Sequence, residues 1–432
     1  MSIEPPKPQS LPAVPESLLP REHVLYRPRH GKHQHTALTS AVLFFCLPAF
    51  LLIAGVRPAE FENRKLAAFP SITDGWGFFT GLNAWADDHI PLRDKAVAAA
   101  DGISRGVFGE APKVQRQQQT VAGPIPAPPP PKDPSLDRPD PTAYVNVLEG
   151  KGDWLYLGFD VQGACEPNLP MDEVFARLAR LRAAVEASGR QFVLVVAPNK
   201  TTMAPEHLPA RYFGRACAAE ARRLFWSQLV ERTGALDVRP ALLQAAEESG
   251  APVYTDLDTH WNHTGGVAVA KAITNAVQAG ITRTWEVKPT TKVRLPADLP
   301  PLLGKQGKVE VQQYDIEPDG ETVRNKLMEG DPRTPQHVVR PPIKGVVGKK
   351  VGVLGDSFAF YIAQYLVAGF TDVTLQHGDQ VNADPHGVAR MLAEQEVVVV
   401  EAAERNLIGG INPLLSPQVI EIIEAELAKS PR

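Results

Sequence analysis

The residues best suited to chemistry lie in two short stretches. Val351 to Phe360 reads Val-Gly-Val-Leu-Gly-Asp-Ser-Phe-Ala-Phe: an apolar run, the turn Gly355-Asp356-Ser357, then a helix-compatible segment. This order puts the Ser357 hydroxyl at the carboxyl end of a strand and at a helix start. There, free backbone N–H groups and the helix dipole favour a developing oxyanion. Gly355 permits the sharp turn and a close backbone approach. An Asp or Ser at such a place also serves as an ordinary helix cap, so a nucleophilic role needs a base and an acid. Both occur upstream, in Asp256-Leu257-Asp258-Thr259-His260-Trp261-Asn262-His263.

A serine hydroxyl becomes a useful nucleophile when an imidazole takes its proton and a carboxylate orients that imidazole. Asp258 and His260 are one residue apart, and in extended chain residues i and i+2 point the same way. The spacing therefore pairs Asp258 with His260, with Asp256 as the alternative orienting acid. Two other readings fit the same residues: a capping Asp beside a half-buried His, and a metal site of Asp258, His260 and His263. A fourth ligand at suitable spacing is not evident for the latter, so no metal and no cofactor is assigned.

The elements that must position these residues alternate between strand and helix. Apolar runs at Phe192–Ala197, Val351–Leu354, Val373–Leu375 and Val397–Val400 predict strands, and shorter ones are expected at 154–157, Leu236–Val238 and Val253–Thr255. Helical spacing is found in Met171–Ser188, Ala219–Thr233, Pro240–Ser249, Gly266–Ala279 and Ile420–Lys429. The alternation predicts an α/β domain with a central parallel sheet over residues 143–432. Active sites of such sheets lie at the carboxyl ends of the strands, where Ser357, Asp258-Thr259-His260 and Asn199-Lys200 all fall. Thr282 to Lys344, rich in Pro and charge, breaks the rhythm and reads as an insertion.

The first part of the chain has another character. Residues 1–36 are Pro-rich and basic, with no core-forming period, and predict a disordered cytoplasmic tail. Ala37 to Val56 carries no charge and has about the length of a bilayer-spanning helix. Its basic N-terminal flank keeps that side cytoplasmic, so the expectation is a transmembrane anchor with everything after Arg57 outside. Residues 57–110 predict short helices near the membrane, and 111–142, with Pro128–Pro131 consecutive, an extended linker. Cys165 and Cys217 are the two cysteines beyond the anchor, and an oxidising compartment would allow them to bridge. The net charge of −4 gives no basic face for nucleic acid.

Taken together, Asp258-Thr259-His260-Trp261, Gly355-Asp356-Ser357-Phe358 and Trp154-Leu155-Tyr156-Leu157 resemble the SGNH-hydrolase-like domain of the alginate O-acetyltransferase (AlgX/AlgJ-type) family. Ala197-Pro198-Asn199-Lys200, Pro205 to Pro209, Glu404-Arg405-Asn406-Leu407 and Glu62-Asn63-Arg64 add to the likeness, which runs from about Phe61 to the end of the chain. The resemblance implies a flavodoxin-like three-layer fold and a triad of Asp258, His260 and Ser357. It also implies acetyl transfer onto an exported or cell-envelope polysaccharide, with the acetyl group supplied by a multipass membrane acyltransferase. Gly355, Asn199, Lys200 and Arg405 are then candidates for the oxyanion site and its walls. A carbohydrate esterase with the same triad, and a non-catalytic scaffold of a polysaccharide assembly, are the competing expectations.

Overall fold

The computed structural model describes residues 32–56, part of 69–99, 144–326 and 333–432. The tail up to residue 31, the Pro-rich linker and Glu62-Asn63-Arg64 lie outside the described residues. The chain divides into two units, one holding most of residues 1–93 and the other essentially Asp94–Arg432.

In the first unit, helix α1 spans Lys32–Ile53. Among the described residues no helix is long and apolar enough to cross a membrane, so the anchor expected over Ala37–Val56 is not shown. Elsewhere in this unit Phe69 packs edge-on against Trp85 with ring centroids 5.1 Å apart.

The second unit is built on a six-stranded sheet. Its strands are β3 (Gln191–Ala197), β4 (Leu236–Asp237), β7 (Gln336–Val339), β8 (Val347–Gly355), β9 (Phe370–His377) and β10 (Val397–Ala403), in the order β4-β3-β10-β8-β9-β7. All neighbours are parallel except β7, which runs antiparallel to β9. The sheet is therefore mixed rather than wholly parallel as expected. β7 comes from the stretch read as an insertion, and its edge place needs no crossover helix, only a return of the chain.

Count the five parallel strands from β8 as first, and join the two ends of the unit. Then β8, β9, β10, β3 and β4 stand in the spatial order 2-1-3-4-5, which is the flavodoxin-like order. The flavodoxin-like arrangement thus holds in space but is circularly permuted along the chain. The switch point of that order falls between β8 and β10, where Ser357 and Glu404-Arg405 emerge.

The continuous apolar strands are explained by burial on both faces. Phe192, Leu194 and Val196 of β3 and Val398 and Val400 of β10 point into one core, with helices α2 (Met171–Ala187), α3 (Arg215–Thr233), α8 (Pro385–Ala393) and α9 (Pro417–Ala428). Val193, Val195, Val397, Val399, Val351 and Val353 point into the other, with α4 (Arg239–Ser249), α5 (His263–Val277) and α7 (Ala363–Leu366). The period-2 alternation along each strand makes the three layers. Each fully buried Val or Leu contributes about 1.5–3 kcal/mol to the collapse.

Two small sheets lie outside the main one. β1 (Val147–Glu149) pairs with β2 (Leu155–Leu157), and β5 (Glu286–Pro296) pairs with β6 (Lys308–Glu317). Val253–Thr255, expected as a strand, makes only a single bridge between Tyr254 and Trp261. The loop joining β5 to β6 folds back: Leu299 and Leu303 are buried with Val147 and Leu155, and Leu257 packs on them.

Candidate active site

Ser357 is the first residue of the short helix α6 (Ser357–Tyr361), directly after β8. Asp356 caps that helix, its Oδ1 accepting from the Phe358 N–H at 3.0 Å, while its Oδ2 accepts from the Ala403 N–H at 2.8 Å. The cap therefore also ties the nucleophile turn to the end of β10. Glu401 completes the tie: one carboxylate oxygen accepts from the N–H groups of Asp356 (3.0 Å) and Ala359 (3.2 Å). Burial, then the nearby Asp356, pushes the Glu401 carboxyl well above its ordinary range. Gly355 is required sterically, since a Cβ there would lie 2.4 Å from the Ala359 Cβ.

The Asp-His segment is held from the other side. Trp261, fully buried, packs edge-on against Phe358 at 4.9 Å. Asn262 caps α5 by accepting from the Gly265 N–H. Between these fixed points His260 faces Ser357, its Nε2 2.8 Å from the Ser357 Oγ. On the far side of the ring, Nδ1 is 2.8 Å from Asp258 Oδ1, which also accepts the His260 backbone N–H at 2.9 Å. Tyr361 stacks on the imidazole with centroids 5.5 Å apart and planes 4° from parallel. The structure thus brings Ser357, His260 and Asp258 into one hydrogen-bonded row, and leaves Ser357 itself exposed.

The electrostatics follow from burial and pairing. Burial pushes the Asp258 carboxyl up, but the hydrogen bond and charge of His260 outweigh it and hold the acid below its ordinary range. For His260, burial works downward; Asp258, then Asp298, overcome it and raise the imidazole above its ordinary value. An imidazole of raised basicity, aimed at a hydroxyl, is suited to take its proton.

Of the other expected site residues, Asn199 and Lys200 are not walls. Asn199 is wholly buried at the end of β3, and its Oδ1 accepts the Arg405 N–H at 3.2 Å. Glu404, held near pH 7 by burial, accepts the Asn199 N–H at 2.7 Å and the Thr202 hydroxyl. Lys200 is 1% exposed, and its Nζ donates to the carbonyls of Asp256 (2.7 Å) and Asp258 (3.2 Å) above the Trp154 ring. It is an internal strut under the acid. Asp256 supplies that carbonyl, while Asp258 supplies the carboxylate beside His260. Arg405 lies over the Phe358 ring, its guanidinium 5.1 Å from the centroid and the ring 4.7 Å from His260. His263 does not join a metal set: its Nδ1 meets the Tyr365 hydroxyl at 3.0 Å, and burial lowers its pKa to about 4. Cys165 and Cys217 form a disulfide with Cα atoms 5.5 Å apart.

Lys200 makes a stability prediction. Burial lowers its pKa from 10.5 to about 8, against the pull of Asp298 and Asp258. The unfolded chain then binds more protons than the native one between those values, so stability rises with pH across that window. Urea midpoints should increase from pH 8 to pH 10, and Lys200→Met should flatten that slope. The variant should also lose about 1–3 kcal/mol, because two buried carbonyls lose their donor.

Sequence reasoning missed Asp298, which stands 3.5 Å from His260 Nδ1. Nothing in Pro296-Ala297-Asp298-Leu299-Pro300 marks it. Donor atoms of Asp258, His260 and Asp298 all lie within 4.8 Å of one another, a spacing that also suits a cation. Their oxygens, however, already accept from Thr259, from His260 and from the Asp298 amide.

Residues 147–330 match the family model of the SGNH hydrolase-like domain of the acetyltransferase AlgX. Over these residues the chain is similar to the AlgX/AlgJ-type domain. The match is narrower than the expected likeness from Phe61 onward: it takes in Asp258, His260 and Asp298 and stops before Ser357. Among curated proteins, the probable alginate O-acetylases AlgJ of Pseudomonas syringae pv. tomato and Pseudomonas fluorescens are 28% and 27% identical over 135 residues, 30% of this chain. The chain spans about a third of the length of these relatives, 33% of each. Among solved structures, the O-acetyltransferase domain of Pseudomonas putida AlgJ is 17% identical with a TM-score of 0.44, covering 65% of this chain and 99% of that one. Bacillus cereus PatB1 is 14% identical with a TM-score of 0.40, over 60% of this chain and 96% of that one. The fold is SGNH-hydrolase-like α/β with a mixed sheet.

Proposed function

We propose that this protein is an O-acetyltransferase that moves an acetyl group through Ser357 onto hydroxyls of an exported or cell-envelope polysaccharide. The observation that carries this reading is the row Ser357 Oγ, His260 and Asp258, with 2.8 Å at each junction, inside an AlgX/AlgJ-like domain. His260 Nε2 takes the Ser357 proton as Oγ attacks the acetyl carbonyl. The Ser357 N–H, among those a helix start leaves without an intrahelical partner, faces the developing charge. His260 returns the proton to the leaving group, and an acetyl-serine forms. A sugar hydroxyl, deprotonated by the same nitrogen, then takes the acetyl group and frees Ser357. Asp258 keeps the imidazole in the tautomer that places its lone pair at Nε2 throughout.

The exposure of Ser357 supports a polymeric acceptor, because a chain of sugars can lie across an open site that needs no entry channel. The same openness admits water, which makes a polysaccharide acetylesterase the second reading. The Cys165–Cys217 disulfide supports work in an oxidising, extracytoplasmic space. A membrane-embedded acyltransferase as acetyl source, and attachment of the chain to the membrane, complete the proposal by way of the family likeness. The test is to incubate the protein with a chromogenic acetyl ester, with and without oligosaccharide acceptors. Serine-dependent acetyl release that acceptors divert into acetylated sugar is expected; release that ignores every acceptor makes the protein an esterase.

A further inference from the structure

The loop between β5 and β6 brings a second carboxylate to His260, and its contacts are all directional. The Asp298 Oδ1 accepts the Thr259 N–H at 2.9 Å, and its Oδ2 accepts the Thr259 hydroxyl. The same Oδ2 lies 3.5 Å from His260 Nδ1, and the Asp298 N–H donates to Asp258 Oδ2 at 3.3 Å. The loop is not free to leave: the Leu299 N–H donates to the Leu257 carbonyl at 3.2 Å, and Leu299 and Leu303 are buried. Resting on the acyl-transfer reading above, we infer that Asp298 is a positioning residue of the site: it clamps the Asp258-Thr259-His260 turn and shares the Nδ1 side of His260 with Asp258.

The clamp explains a geometric problem. Asp258 and His260 are near neighbours in a segment that makes only one bridge of β structure, so nothing in the strand pairing fixes the turn between them. Thr259 alone separates them, and its N–H and hydroxyl both end on Asp298, the hydroxyl also lying 3.3 Å from His260 Nδ1. Each carboxylate oxygen then has a donor, which is the condition for burying two acids beside one imidazole. The charged and titratable groups facing this cluster are Asp258 and His260 themselves, Lys200 beneath, Tyr361 above, and Arg405, whose charge opposes the two acids at His260.

Two negative groups on the Nδ1 side hold the imidazolium more firmly than one. Asp298→Asn keeps the shape and an acceptor for the Thr259 N–H but removes the charge. His260 should then titrate at lower pH than in the unaltered protein. In a serine-dependent ester assay the acid limb of the rate profile should move the same way, with kcat/KM at its maximum falling about tenfold through the loosened turn.

The readout that does not depend on activity is the ¹⁵N titration of histidine-labelled full-length protein, with the His260 signals identified by their absence in His260→Gln. Thr259→Val, which removes the hydroxyl contact to Asp298 together with the 3.3 Å contact of that hydroxyl with His260 Nδ1, should shift His260 in the same direction by less, and serves if Asp298→Asn does not fold. Titration of His260 unchanged in both variants would overturn the inference, as would a His260 signal that moves on adding EDTA, since the cluster would then hold a cation. If the His260 shift appears while no acetyl ester is turned over, the positioning role stands and the acyl-transfer reading falls.

Discussion

Ser357→Ala is expected to lower acetyl transfer about 10⁴-fold or more, because no other hydroxyl stands at 2.8 Å from His260 Nε2 among the described residues. Ser357 is exposed and packs against nothing in the core, so the variant should keep the wild-type urea midpoint within about 0.5 kcal/mol. That pairing of outcomes matters. A loss of activity with a loss of stability would leave the site unproved, whereas a loss with an intact fold assigns the chemistry to one oxygen. Under the scaffold reading the variant would support glycan acetylation in cells as well as the wild type does.

The second large effect belongs to Asp258→Asn. The asparagine removes the charge that balances the imidazolium formed when His260 takes the Ser357 proton, and because Asp258 Oδ1 serves both the His260 N–H and Nδ1 while Oδ2 serves the Asp298 N–H, its amide N–H₂ meets a backbone donor in either orientation. With the N–H₂ in the Oδ1 place, Nδ1 is left to accept and the proton stays on Nε2, which can no longer take the Ser357 proton. The expected loss in turnover is about 10⁴-fold with the substrate KM little changed. Since Asp298 also reaches Nδ1, the double variant with Asp298→Asn should be less active than Asp258→Asn, but by less than the product of the two single effects.

Much of this site could be read along the chain because its parts obey local rules. The strands β3, β8 and β10 announce themselves as apolar runs, since both faces are covered by helices. Ser357 follows its strand through a glycine turn, and the Asp-x-His spacing carries its own geometry. What the sequence hid depends on contacts distant in the chain. Lys200 looks like a surface charge, yet two carbonyls of the Asp256–Asp258 segment and two aromatic rings take it into the interior. Asp298 sits in a proline-flanked stretch with no periodic signal, and only the return of the β5–β6 loop makes it a neighbour of His260. The edge strand β7, Gln336-His337-Val338-Val339, is short and buries only Val338, so it lacks the pattern of its buried companions. For the segment at Val253, apolar and β-branched residues suggested a strand, but the chain turns at once to present Asp258 and Trp261. The permuted strand order was beyond any local reading, because it is a property of how the ends of the unit are joined.

The most direct test of the central claim is to look for the acyl-enzyme itself. The full-length protein would be mixed with an acetyl ester, quenched in acid within a turnover, digested, and the peptide containing Ser357 weighed. The account predicts that peptide carrying one acetyl group, which disappears when an oligosaccharide acceptor is added before the quench and is absent in His260→Ala. A peptide that never gains the acetyl group while the ester is consumed would contradict the account, since turnover would then bypass Ser357.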